Sequence, residues 1–135
     1  MIKIGDEFKH KFSYSQEEVD IFAKVSGDTN PLHIDEEYAK SSIFGKRIMH
    51  GYLGACVFTK IFGTLLHADG HIYMSQSFSF RAPMYAGEEY EAVVTVKEIF
   101  PEKNRILYTT EIYQGDTLCT TGEALLLNKK VYVWS

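Results

Sequence analysis

Apolar and polar residues alternate weakly from residue 2 to residue 12, which predicts a first strand. Beyond it the period changes. Val19, Phe22, Ala23 and Val25 recur at roughly helical spacing, and both ends of the helix they predict are marked. Ser15-Gln16-Glu17-Glu18 has the S-x-x-E form of a capping box with Ser15 as N-cap, and Gly27 supplies a C-terminal stop. The pattern then lapses from Asp28 to His33. Pro31 lacks an N–H and pushes Asn30 out of helical backbone angles, so an irregular loop is expected there. Asp35 can cap a short helical turn through Tyr38 and Lys40.

Residues 51–66 are apolar on nearly every face, with Lys60 the only charge. A helix of that kind is expected to be buried on all sides. In a chain of 135 residues, the economical way to bury it is to wrap a sheet around it. The second half supplies that sheet. Residues 72–82, 89–99, 104–114 and 117–127 are rich in Tyr, Phe, Ile, Val and Thr, with turn signals at Pro83 to Gly87, Pro101 to Asn104 and Gly115-Asp116. The predicted architecture is α+β, an antiparallel β-sheet wrapped around one long central α-helix. With no internal repeat, low-complexity tract or linker, residues 1–135 read as a single domain.

Composition narrows the function classes. Apolar residues make up 45% and charged residues 24%, and nine Phe and nine Tyr supply ample surface to bury, which argues against disorder. The formal charge of −4 argues against a nucleic-acid binder, which normally shows a basic excess. Cys56 and Cys119 sit in apolar stretches without CxxC spacing and read as reduced, buried thiols. The N-terminus alternates and is charged, unlike a signal peptide, and no apolar run reaches the roughly 20 residues of a membrane helix. A cytoplasmic location, away from membranes, is the resulting expectation.

Candidate chemistry centres on Asp28 and His33, five residues apart with Pro31 between them. On a helix that spacing would splay the side chains by about 140°. On a loop held by Gly27 and Pro31 both can converge on one point, and a carboxylate and an imidazole converging on a water form a general acid–base pair. Asn30 could orient the loop through the backbone. On spacing alone, turn chemistry is the simpler account of these residues. His50-Gly51 begins the apolar helix, where free N–H groups and a side-chain-free residue would suit an oxyanion, although a plain helix-start glycine after a surface histidine reads as well. Gly45-Lys46-Arg47 offers cations for an anionic ligand, or simply solvated charge. His10, His67 and His71 show no metal-ligand spacing with carboxylates or thiols, so no metal is expected.

Taken together, these residues resemble the MaoC-like, R-specific enoyl-CoA hydratase family, whose fold is the hotdog. The run Ser26-Gly27-Asp28-Thr29-Asn30-Pro31-Leu32-His33-Ile34-Asp35, with Ala39 beyond it, matches the family's hydratase motif. Phe44-Gly45-Lys46-Arg47-Ile48-Met49-His50-Gly51, leading into the central helix, is a second match. Phe80-Arg81-Ala82-Pro83-Met84-Tyr85-Ala86-Gly87-Glu88 is a third and weaker one. The resemblance implies that Asp28 and His33 activate the water that adds to a trans-2-enoyl-CoA thioester, giving an (R)-3-hydroxyacyl-CoA. It further implies that the Gly51 amide meets the charge on the thioester oxygen, with Asn30, Arg47, His50 and Tyr52 as substrate-binding residues. No cofactor is implied, coenzyme A being part of the substrate, and a homodimer is. Tyr52 departs from the smaller or unbranched residues familiar at its position, which bears on the acyl-chain pocket.

Hotdog folds also host thioesterases, dehydratases and acyl-CoA sensors. A thioesterase would need a carboxylate on the central helix, and residues 51–66 contain no Asp or Glu. A non-catalytic acyl-CoA-binding module would tolerate loss of the acid–base pair, which this chain keeps. A 3-hydroxyacyl-carrier-protein dehydratase would use the same site in reverse.

Overall fold

The computed structural model describes residues 2–66 and 70–129. Its sheet has six antiparallel strands: β1 (Glu7–Phe12), β2 (Ile72–Gln76), β3 (Ser79–Phe80), β4 (Tyr90–Phe100), β5 (Arg105–Gln114) and β6 (Thr117–Leu127). Their order is β1-β4-β5-β6-β2, with β3 pairing to β6 beyond β2. The long strands arise where β-branched and aromatic residues alternate. In β5, Ile106, Tyr108, Thr110 and Ile112 turn inward at every second position and are buried.

The concave face grips the central helix, formed by α4 (Gly51–Ala55), α5 (Val57–Lys60) and a π-helical turn over Ile61–Leu65. Leu53, Val57, Phe58, Ile61 and Phe62 lie against the sheet, and the Phe62 and Tyr108 rings meet with centroids 4.8 Å apart. The helix is not buried on all sides, as its composition suggested. Tyr52, Cys56, Thr59, Lys60, Gly63 and Thr64 are exposed and form its outer face. Five of these six are uncharged, which hid the amphipathic period from hydropathy alone. For the same reason Cys56 is an exposed thiol, whereas Cys119 is buried as expected.

Three other expectations change in detail. The first strand is confined to Glu7–Phe12, because Gly5 turns the chain in a left-handed conformation (φ 92°). The strand expected over 72–82 breaks into β2 and β3. Between them the chain passes directly over Gly122, where a Cβ would lie 1.8 Å from the Ser77 carbonyl oxygen. Finally, the 28–33 stretch is not wholly irregular: α2 (Pro31–Ile34) begins at Pro31, the first helical position, where a missing N–H breaks no intrahelical bond and proline's fixed φ suits the turn. His67 lies outside the described residues.

The remaining helices were legible. In α1 (Gln16–Ser26), Ser15 Oγ accepts from the Glu18 N–H while Glu18 accepts from the Ser15 N–H, and Gly27 closes the helix at φ 80°. Asp35 caps α3 (Glu36–Lys40) by accepting from the Tyr38 N–H at 3.1 Å. Among the described residues, no helix is long and apolar enough to cross a membrane.

Candidate active site

A chain of short-range hydrogen bonds shapes the segment between α1 and α2. The Ser26 hydroxyl accepts from the Asp28 N–H, one Asp28 carboxylate oxygen (Oδ1) accepts from the Asn30 N–H, and Asn30 Oδ1 accepts from the Leu32 N–H at 3.0 Å. These are Asx-turn and N-cap contacts, and they fix the direction of Asp28. Gln16 Nε2 donates to the His33 carbonyl at 2.9 Å, tying α2 back to the first turn of α1. Asn30 was expected to bind substrate. Its side-chain oxygen caps α2 and so also holds the shape of the loop.

His33 is oriented by the strand-like segment before the central helix. Its Nδ1 lies 2.8 Å from the Ile48 carbonyl oxygen, which can only accept, so Nδ1 carries the proton. Nε2 then faces Asp28, 3.8 Å from Oδ2. That gap is too long for a direct hydrogen bond and fits two bonds to one intervening water. Exposure differs usefully: the His33 side chain is 12% exposed and that of Asp28 is 54%.

His50 is not the surface histidine that a helix-start reading allows. It is buried, stacked on His33 with centroids 3.7 Å apart, and met edge-on by Phe22. Its Nε2 donates to the Asp28 carbonyl oxygen at 3.0 Å, and its Nδ1 has no hydrogen-bond partner among the described residues. Enclosed in this way, it positions the loop and the His33 ring. Oxygen and nitrogen atoms of Asp28, His33 and His50 fall within 4.8 Å of one another, a set the sequence spacing did not flag as a possible metal site. The Ile48 and Asp28 carbonyl oxygens place protons on His33 Nδ1 and His50 Nε2, so of the two nitrogens nearest the Asp28 carboxylate only His33 Nε2 offers a lone pair. One imidazole lone pair beside one carboxylate suits proton transfer better than tetrahedral ligation.

Gly51 follows directly as the first residue of α4, and His50 offers it no side-chain cap. It lines a cleft of about 350 Å³ together with Tyr52, Phe80, Arg81, Pro83 and Met84. A Cβ at Gly51 would come 2.8 Å from the Phe80 ring, so any larger residue there must push that ring aside. Tyr52 is exposed and packs edge-on to Phe78 and Phe80. It also borders a second, apolar cleft of about 460 Å³ formed with Phe22, Cys56, Thr59, Tyr73 and Phe78. Neither Asp28 nor His33 lines these two clefts; the dyad adjoins them through the Ile48–Gly51 segment.

The sequence offered Lys46 and Arg47 as cations for an anionic ligand. Both are engaged within the protein. Lys46 Nζ lies 2.9 Å from Glu88 and over the Tyr85 ring, and Arg47 Nε lies 3.0 Å from Glu36. The Glu88 hydrogen bond raises the Lys46 ammonium, and Glu88 is held below its ordinary value, first by the Gln114 amide and then by Lys46.

The sequence model of one family, described as MaoC like domain, matches residues 2–117. The chain belongs to the MaoC-like family. Its relatives include the (R)-specific enoyl-CoA hydratase of Rhodospirillum rubrum, 36% identical over 93% of this chain and 88% of that protein. An Arabidopsis thaliana mitochondrial 3-hydroxyacyl-[acyl-carrier-protein] dehydratase is 33% identical over 92% of this chain and 76% of its own length. Among solved structures, the (R)-hydratase from A. caviae superimposes with a TM-score of 0.90, at 36% identity, covering 94% of this chain and 97% of that one. The expected hotdog architecture is therefore the observed one.

Proposed function

We propose that this MaoC-like protein adds water to trans-2-enoyl-CoA thioesters to give (R)-3-hydroxyacyl-CoA, and catalyses the reverse dehydration. The observation that carries the proposal is the pairing of His33 Nε2 with Asp28 Oδ2 across 3.8 Å, each held by backbone contacts on its far side. A water between them is oriented by two acceptors. As its oxygen attacks C3, one of the pair takes its proton and a proton is delivered to C2. Atoms balance without redox change, so the reaction needs a base, an acid and an oxyanion donor but no cofactor. Charge gathered on the thioester oxygen is met by the Gly51 N–H at the start of α4.

The acyl chain enters the apolar cleft beyond Tyr52, whose ring divides that cleft from the one beneath Gly51. A homodimer completes the assembly. Among the described residues, strand β2 is an open sheet edge on which Ile72, Tyr73 and Met74 are exposed, and the outer face of the central helix is open beside it. A second copy is the simplest cover for a hydrophobic edge and face that adjoin.

The names of the relatives make both carriers worth testing. Hydration should be followed spectrophotometrically across crotonyl to dodecenoyl thioesters of CoA and of acyl-carrier protein. Turnover of at least one enoyl-CoA supports the reading. Binding of acyl-CoA without turnover of any thioester would replace it with the non-catalytic alternative.

A further inference from the structure

The engagement of Lys46 and Arg47 leaves open which group receives the anionic end of the substrate. Each is engaged by a carboxylate, Lys46 by Glu88 and Arg47 through its Nε by Glu36, which offsets part of the charge it could offer a phosphate. Arg81 differs on each count. It is exposed, it pairs with no carboxylate among the described residues, and its backbone N–H is anchored to the Cys119 carbonyl at 2.8 Å. The chain is thus fixed to β6 while the guanidinium remains unpaired. Arg81 also lines the cleft that begins at Gly51, and it is the sole charged residue among the described residues lining it. An anion there meets one cation and no competing carboxylate among the lining residues.

We propose that Arg81 binds the phosphate at the end of the substrate's pantetheine arm. The thioester carbonyl lies at Gly51, the apolar and amide portions of the arm follow Phe80 and Pro83, and the phosphate reaches the guanidinium. This inference rests on the function proposed above. A planar guanidinium suits it because it can present two parallel N–H donors to a phosphate, and it remains charged at every pH of interest. The phosphate is common to CoA and to the prosthetic arm of a carrier protein, so the site does not itself choose between them.

The test compares wild type, Arg81→Gln, Arg81→Lys and, as a control for the other candidate cation, Arg47→Gln. The substrates are crotonyl-CoA, crotonyl-phosphopantetheine and crotonyl-pantetheine, the last lacking phosphate. Wild-type turnover of crotonyl-CoA establishes the hydratase reading independently, and the variants then decide the role of Arg81 alone. Arg81→Gln should raise KM about tenfold for both phosphorylated thioesters, with kcat little changed and crotonyl-pantetheine unaffected. Arg81→Lys should recover part of the loss, and Arg47→Gln should not reproduce it. An equal KM rise on all three substrates, no rise on any, or a rise confined to crotonyl-CoA would each overturn the proposal. The first would indicate a structural effect, the second no role, and the third contact with the nucleotide phosphates. A wild type that hydrates none of them would remove both readings together.

Discussion

The helix start allows the oxyanion role of Gly51 to be separated from its size. Proline at Gly51 deletes the N–H, and the local structure accepts it unusually well. The position is the first of α4, where proline's fixed φ suits the helix and the missing donor breaks no intrahelical bond. His50 before it sits at φ −59° and ψ 136°, the extended region that a residue preceding proline prefers. Proline also adds three ring carbons, Cγ and Cδ beyond Cβ, and of these Gly51→Ala supplies only the Cβ. That atom would lie 2.8, 2.9 and 3.1 Å from Phe80 Cε1, Cδ1 and Cζ, ring atoms at the end of a half-exposed side chain that can swing aside. The steric cost should be about 1 kcal/mol, at the low end for added bulk, and Phe80→Ala in the same chain should relieve it. Removing one oxyanion donor costs about 10²–10³ in rate, or ~2.7–4 kcal/mol. Gly51→Pro should therefore fall a further 10² or more below Gly51→Ala in kcat for crotonyl-CoA hydration, once circular dichroism and elution volume show both folded. A folded Gly51→Pro enzyme turning over as fast as Gly51→Ala would refute the assignment and direct attention to the Tyr52 amide.

Asp28→Asn and His33→Gln should each lower hydration about 10²-fold or more, and the double variant should be little worse, since groups acting as a unit are not additive. Near-wild-type turnover in either single variant contradicts the pairing. Tyr52→Ala should open the apolar cleft and shift kcat/KM toward longer acyl chains, by about 0.8 kcal/mol for each methylene newly buried; an unchanged chain-length profile would rule Tyr52 out as the divider. Light scattering should give a mass twice the 15.4 kDa of the chain, and Met74→Glu on the β2 edge should give monomers; a stable, active wild-type monomer would contradict the dimer. Because Glu88 lies below its ordinary value of 4.5, the stability it contributes is complete above that value and is lost as pH falls through the folded-state value. Glu88→Gln should accordingly flatten, by a small amount, the decline in Tm between about pH 5 and pH 3, and an unaltered decline in thermal melts would contradict it.

Features written into local chemistry were legible in the sequence. The capping box at Ser15 and Glu18, the stop at Gly27, the cap at Asp35 and the period-two strands each depend on neighbours within a few residues, and each formed close to where it was expected. The features that were missed depend on partners distant in sequence. Nothing near Gly122 announces that the chain at Ser77 crosses it, and that crossing is what divides the strand expected over 72–82. His50 read as a helix-start residue because its enclosure by Phe22 and His33 exists only once α1, α2 and the central helix assemble. Arg47 read as a free cation for the same reason: Glu36, its partner, lies eleven residues back across a turn. Proximity of Asp28 to His33 followed from Gly27 and Pro31, but the Ile48 carbonyl that sets the histidine's tautomer left no mark in the sequence.

The central claim is that Asp28 and His33 direct water to one face of an enoyl thioester. It is tested most directly by chiral analysis of the 3-hydroxybutyryl-CoA formed from crotonyl-CoA by wild type and by the Asp28→Asn, His33→Gln double variant. The account predicts the R product alone from wild type and a yield lower by about 10²-fold or more from the folded double variant. An S product, or an undiminished yield from the double variant, would contradict it.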